Sequence, residues 1–387
     1  MIDEALLDDA EALAEVDREG SLRVLASAGA QVRAALAEEL DLDRVREDGR
    51  PRSVLVAGLG GSAVVGEVVA ALAGSASPVP VQQRRGGPLP GWVGPMDLVV
   101  AVSMSGRAPQ PLLIAAEAGR RGARLVSVCR AGSPLAEVTA RARGAVLAMP
   151  RAGLPGVPAA DSRTGLWSLL APVLLACGAA DVLDVGSADL LAAADVLDAE
   201  AEVCRVGSPS FVNPAKSLAT ELDGSVPVVL SDGDPAHAAA ARAVSMLARA
   251  ARVPAVHGTL PDDASDVVAL FDGPFAPRSD DLFADPFLDG RTGTSLRLLL
   301  LAEDATAGHA APVRTVAGRA GVPLSDLVAP AGRPLERFAF LVARTDFAAT
   351  YLALGSRVDP SRSPHLADLR EIWAEQGPVP PRGSSPG

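Results

Sequence analysis

The chain has 387 residues, 49% of them hydrophobic and 21% charged, and a formal net charge of −12. That length predicts two domains with a substantial core, and the acidic balance excludes a general nucleic-acid or anionic-membrane surface. A small anionic ligand stays open, because it needs only a local positive pocket.

Taken in order, Ala5 to Leu40 carry apolar positions at helical spacing, broken near Gly20 and Gly29. They predict two helices bracing the first domain. Asp41 to Arg52 is a charged connection. Short apolar runs then predict strands at Val54 to Ala57, Val79 to Gln82, Asp97 to Ser103, Leu125 to Cys129 and Val146 to Met149. Helices are expected between them, over Ala63–Leu72, Pro111–Gly119 and Leu135–Ala142. Such alternation implies a parallel, doubly wound sheet. Arg151 to Asp161 is a Pro/Gly-rich loop, and Ser162–Cys177 and Ser187–Arg205 read as helices, with Ser187 as an N-cap. The pattern then restarts. Helices are predicted over Lys216–Leu222, Ala236–Ala251, Val313–Gly321, Pro334–Leu354 and Arg362–Glu375. Strands are predicted at Val226 to Ser231, Ala255 to His257, Val267 to Phe271 and Ser295 to Ala302, with a loop over Gly273 to Gly293. The implied organisation is α/β: amino-terminal helices over 1–50, a first domain over 51–185, a second over 186–376 and a disordered tail over 377–387.

Cys129, Cys177 and Cys204 are odd in number, far apart and set in apolar segments. They predict buried free thiols in a reducing cytosol and show no zinc spacing. No metal and no cofactor is expected. Met1-Ile-Asp-Glu4 lacks the basic start of a signal peptide. With no apolar run read as bilayer-length, a cytoplasmic protein is expected. Lys216 is the sole lysine, so arginine supplies nearly all positive charge.

The chemistry concentrates after the first and third strands. Gly58-Leu-Gly-Gly-Ser62 turns from a strand into a helix, an arrangement that aims main-chain N–H groups at an anion. Gly60 and Gly61 allow close backbone approach and positive φ, and Ser62 is placed as an N-cap. Ser103-Met-Ser-Gly106 makes the second turn. In a doubly wound sheet both turns would face the ligand crevice at the strand carboxyl ends. Hydroxyls and amides there suit a phosphate. A nicotinamide cofactor would want an acidic residue ending the second strand, where the sequence instead reads Gln82-Gln83-Arg84-Arg85.

Gly58-Leu-Gly-Gly-Ser-Ala-Val-Val-Gly66 with Ser103-Met-Ser-Gly106 resembles the sugar isomerase (SIS) domain. More narrowly, the chain resembles the bifunctional phosphoglucose/phosphomannose isomerases. Asp161-Ser-Arg163, Asn213-Pro-Ala-Lys-Ser-Leu-Ala219, Thr345 to Gly355 and Val358-Asp-Pro360 resemble further segments of that family in the same order. The resemblance implies two SIS-like doubly wound parallel-sheet domains flanked by helices, a hexose 6-phosphate ligand and a homodimer whose sites form where domains and subunits meet. It implies that Gly60, Gly61, Ser62, Ser103 and Ser105 bind the phosphate, and that Arg163 stabilises an enediolate.

The departures fall on the proton-transfer machinery. The family's base is a glutamate in an Asn-His-Asn-Glu stretch after Leu-Pro, whereas this chain reads Leu260-Pro-Asp-Asp-Ala-Ser-Asp-Val-Val268. Asp266 is the nearest carboxylate, and His257 ends a predicted strand nearby. A family lysine corresponds to Arg370, whose pKa is too high for proton carriage. Two readings follow: an isomerase with an altered base, or a non-catalytic phosphosugar sensor or scaffold that has lost it.

Overall fold

The computed structural model describes residues 2–150, 156–276, 294–304 and 308–376. In chain order the first half holds α1 (Glu4–Leu7), α2 (Ala10–Val16), α3 (Ser21–Ala26), α4 (Ala28–Ala37), α5 (Leu42–Glu47), β1 (Val54–Gly58), α6 (Val64–Ala73), β2 (Val81–Arg84), β3 (Leu98–Ser103), α7 (Pro109–Arg120), β4 (Arg124–Cys129), α8 (Pro134–Arg141), β5 (Ala145–Ala148) and α9 (Leu166–Ala179). The second holds α10 (Ser187–Val203), α11 (Pro214–Leu222), β6 (Ser225–Asp232), α12 (Asp234–Met246), β7 (Val256–Leu260), α13 (Ala264–Ala269), β8 (Ser295–Ala302), α14 (Ala310–Arg319), β9 (Leu324–Val328), α15 (Pro334–Gly355) and α16 (Pro364–Gln376). Two compact units result: Ser27–Ala194 with Ser361–Gly387, and Met1–Ala26 with Asp195–Pro360.

In the first-sheet unit the order is β2-β1-β3-β4-β5, all parallel. β1 and β3 are buried at every residue, as continuous apolar runs covered on both faces should be. Leu55, Ala57, Val99 and Ala101 face a core with Ile114 of α7 and Leu135 of α8. Val56 meets Gly66 of α6 on the opposite face, where α9 also packs on α6. Helices therefore flank both faces, and the sheet is doubly wound.

The second-sheet unit repeats the design with the parallel order β7-β6-β8-β9. Val228, Leu230, Leu298 and Leu300 share one core with Val267 and Phe271 near α13 and with Val313 of α14. α11 and α12 pack against α15 and β6.

Several expectations need correction. The amino-terminal segment forms five short helices rather than two, with α5 inside the predicted charged connection. α1 to α3 fall in the second-sheet unit, where they pack on α15. Val267 to Phe271 is not a strand: α13 occupies it and continues as a 3-10 turn, Leu270–Asp272. Val267 and Phe271, four residues apart, are buried while Leu270 is exposed, the signature of a helix face. Ser187 begins α10 as a helical residue, not as its N-cap. β9 is additional to the predicted strands. Among the described residues α15 alone is long and apolar enough to cross a bilayer, and it lies mostly buried as a core helix. Its Arg337, Arg344 and Asp346 are taken up in ion pairs with Glu303, Glu200 and Arg242. Cys129, Cys177 and Cys204 are free and buried, as the sequence predicts. Burial pushes all three thiols up, those of Cys177 and Cys204 to about 12. The tail 377–387, 151–155 of the Pro/Gly-rich loop and most of 273–293 lie outside the described residues.

Candidate functional site

The switch point of the first sheet lies between β1 and β3, and both glycine/serine turns arrive there. Gly58, ending β1, pairs with Val102, so Ser103 stands one residue further along the adjacent strand. The chain after β1 reverses tightly. A Cβ on Gly58 would come within 2.6 Å of the Ser62 carbonyl oxygen, so only glycine lets Gly60–Ala63 close into its 3-10 turn. Gly60 takes φ +61°; Gly61 does not need positive φ. Ser62 is buried within the turn and makes no side-chain cap bond. Ala63 holds the cap position of α6 instead. The first helix start is thus left without a side-chain cap of its own.

At the second turn, the Ser103 hydroxyl oxygen accepts from the Gly106 N–H at 3.1 Å. The Ser105 oxygen accepts from the Arg107 N–H at 3.2 Å. Each hydroxyl keeps its proton to donate to a ligand. Ser103 is buried and Ser105 exposed. The α7 start contributes less than a helix N-terminus usually does. Pro109 and Pro111 are two of its first three residues, and neither has an N–H. Any anion held here would meet hydroxyls and the amides of the first turn. Neither 54–66 nor 98–108 contains an Asp or Glu that would repel an anion.

Arg163 reaches this end of the sheet through a tight acidic turn. The Asp161 carboxylate accepts from the N–H of Arg163 at 2.7 Å and of Thr164 at 3.1 Å, and pairs with the Arg163 guanidinium at 2.6 Å. Burial pushes the Asp161 carboxyl up, but the Arg163 amide, the Arg163 charge and the Thr164 amide outweigh it and hold it below the ordinary value. The turn is fastened from behind: Gln31 donates to the Thr164 carbonyl at 3.2 Å and accepts from Ser168 at 3.0 Å. It is joined to the serine turn by Met104. A Cβ on Gly165 would lie 2.5 Å from the Met104 methyl carbon, so the residue between Ser103 and Ser105 seats on the loop that carries Arg163. Two features escaped the sequence reading, the neutralisation of Arg163 by Asp161 and the proline-depleted α7 start. The prolines are visible in the sequence; the ion pair needed the turn geometry.

The remaining candidates lie in the other half. Asp266 sits in the first turn of α13 and is exposed. Asp263, not Asp266, anchors the loop: its carboxylate accepts from the Thr259 N–H at 2.7 Å. His257 is exposed on β7, its ring centroid 5.8 Å from that of His237, whose Nδ1 is 2.5 Å from the Thr259 hydroxyl. The Arg370 side chain lies outside the described residues. Among the described residues no cluster of His, Cys, Asp and Glu has the arrangement of a metal site.

Residues 211–372 match the family model of the bacterial phospho-glucose isomerase C-terminal SIS domain. This chain is similar to SIS-domain phosphoglucose isomerases. Its fold matches a hypothetical protein of Thermus thermophilus with a TM-score of 0.64 at 17% identity, covering 96% of each chain. A glucose-6-phosphate isomerase like protein of the same organism gives 0.56 at 18%, over 92% of this chain and 98% of that one. The C-terminal domain of glucosamine-fructose-6-phosphate aminotransferase from Francisella tularensis gives 0.58 at 12%, over 88% and 98%. Among curated proteins, none matches the sequence. The fold shared with these structures spans both halves, and the family model falls on the second.

Proposed function

We propose that the chain binds a phosphosugar, a hexose 6-phosphate, with Gly60, Gly61, Ser62, Ser103 and Ser105 holding the phosphate. The observation that carries this reading is the pair of glycine/serine turns on adjacent strands at the switch point, where α/β sheets bind ligands. Hydroxyl protons and turn amides would meet the phosphate oxygens. Arg163, held beside Met104, would stabilise the negative charge of an enediolate during aldose–ketose isomerisation. The reaction also moves a proton between two neighbouring carbons, which demands a base. Asp266 is the candidate base and Arg370 a further polar group. A homodimer in the cytoplasm completes the reading.

A non-catalytic sensor or scaffold is the second reading. It is favoured by the lack of any glutamate from Leu260 to Val268 and by the exposure of Asp266. Calorimetry with glucose 6-phosphate and mannose 6-phosphate, run beside a coupled isomerase assay, tests both. Saturable binding is expected. Binding without turnover selects the sensor, and no binding by either sugar phosphate defeats the phosphosugar reading.

A further inference from the structure

A second charge pattern lies at the other end of the first sheet. A cavity of about 190 Å³ opens among the amino ends of β3, β4 and β5, lined by their first residues Leu98, Arg124 and Ala145. The glycine/serine turns are at the carboxyl ends, a strand's length away. Arg44, Arg124 and Arg143 line this cavity, and Asp48 is the one acidic residue of its wall.

Many arginines of the same unit are paired with carboxylates, although among the described residues Arg50 and Arg84 bond only main-chain carbonyls. Arg46 pairs with Asp43, Arg52 with Asp97, Arg85 with Glu67 and Arg121 with Glu117. Arg141 stands 3.9 Å from Glu137. Among the described residues none of the three cavity guanidinium groups meets a carboxylate; the Arg44 main-chain N–H alone donates to one, that of Asp41 at 3.4 Å. Arg44 donates to the main-chain carbonyl of Arg143, and Arg124 Nη1 to that of Gly49 at 2.8 Å. Each bond uses one of five guanidinium donors and fixes the group in place.

Helix ends offer a competing reason for arginine here, because the carboxyl ends of α7, α8 and α9 reach the same wall. Those ends are already closed by main-chain bonds: Ala123 to Ala118 at 3.0 Å, Gly144 to Thr139 at 2.8 Å and Ala180 to Ala176 at 3.0 Å. Three full charges exceed what three capped ends require. The volume equals that of about six water molecules in the liquid, room for a phosphate and a small substituent.

We propose that this cavity is a second anion site, for a phosphate dianion, free or as a small monoester. Arg44 and Arg143 are exposed, so replacing both should leave the fold intact, as a thermal melt would verify. Calorimetry with inorganic phosphate compares the parent chain with Arg44→Gln/Arg143→Gln, each with and without Ser103→Ala/Ser105→Ala. The arginine pair should remove one class of site, weakening phosphate there by about tenfold or more, whether or not the serines are present. Arg143→Gly alone, which relieves a φ of +58°, should weaken it by less and covers the case in which the double variant misfolds. Glycerol 3-phosphate on the serine variant tells the monoester from the free anion. Phosphate binding unchanged by the arginine substitutions, or absent from the parent, overturns the proposal. Phosphate lost only with the serines overturns it too, and supports the sugar-phosphate site. Phosphate lost only with the arginines, with glucose 6-phosphate unbound, upholds this site and defeats the phosphosugar reading.

Discussion

Ser105 offers an exposed hydroxyl whose oxygen is used and whose proton is not. Ser105→Ala should weaken sugar-phosphate binding by roughly 1–2 kcal/mol, between the worth of a neutral hydrogen bond and that of one to a charged group, with the fold unchanged. Calorimetry reads this directly, and an unchanged affinity would count against the assignment. Ser103→Ala is a less clean test, because the Ser103 oxygen also holds the Gly106 N–H. A different residue-scale consequence concerns Asp97, buried at the start of β3. Burial pushes its carboxyl up, but the Arg52 guanidinium at 2.6 Å, the Ser53 hydroxyl at 2.7 Å and the Gly94 amide at 2.8 Å outweigh it, and the net direction is down. A carboxyl lowered on folding contributes stability that is full above its unfolded pKa, near 4, and is lost as pH falls through the lowered folded value. Asp97→Asn should therefore cost roughly 2–3 kcal/mol at pH 7. The gap to the parent should narrow as pH falls below about 4. Urea titrations across pH 3–7 test both halves; a gap that does not narrow toward the acid end would contradict the linkage.

At the scale of elements, α11 is fastened through the sole lysine. Lys216 is fully buried, and its ammonium donates to the carbonyls of Val206 at 2.9 Å and Ser208 at 2.8 Å and to Asp8 at 3.3 Å. It also lies 5.6 Å from the Tyr351 ring centroid. Three donors thus meet three acceptors, tying α11 to the 205–210 segment and to the residue after α1. Lys216→Met should leave two carbonyls unpaired and cost roughly 2–3 kcal/mol, read as a lower urea midpoint; an unchanged midpoint would show the cage to be dispensable. Nothing in the residue pattern around Lys216 announces this role, because the acceptors come from other segments. The same distinction governs what the sequence revealed elsewhere. β1, β3 and β8 are apolar runs bounded by turn residues, and they form where local pattern alone places them. Val267 to Phe271 is also a short apolar run, yet it is helical, since periodicity cannot separate the two states over five residues. Leu324-Ser-Asp-Leu-Val328 is too polar and short to register as a strand, and pairing with β8 makes it one. The two glycine/serine turns were legible because a strand–glycine–helix order is local. The Asp161–Arg163 pair and the arginine-lined cavity were not, because each depends on where loops close.

For the whole molecule, the two glycine/serine turns and the candidate base Asp266 belong to different halves of the chain, and the resemblance to the isomerase family is uneven between them. The first half keeps both glycine/serine turns. The second matches the SIS family model, while Asp262, Asp263 and Asp266 are the only carboxylates from Leu260 to Val268. We expect glucose 6-phosphate and mannose 6-phosphate isomerase activity to be weak or absent. One positioned base contributes about 10²–10⁴ in rate, so its loss should be plain in a coupled assay. The charge available to an enediolate is reduced as well, because Arg163 already commits its guanidinium to Asp161. Asp161→Asn would free that charge. In an active enzyme it should change turnover more than substrate affinity, whereas in a binding protein it should alter only stability. Asp266→Asn supplies the decisive comparison. Turnover abolished by that substitution, with sugar-phosphate affinity retained, identifies Asp266 as the base and defeats the sensor reading. Robust turnover that survives it moves the search to His257 or to a partner subunit. Binding without turnover in both the parent and the variant leaves a phosphosugar receptor built on an isomerase fold.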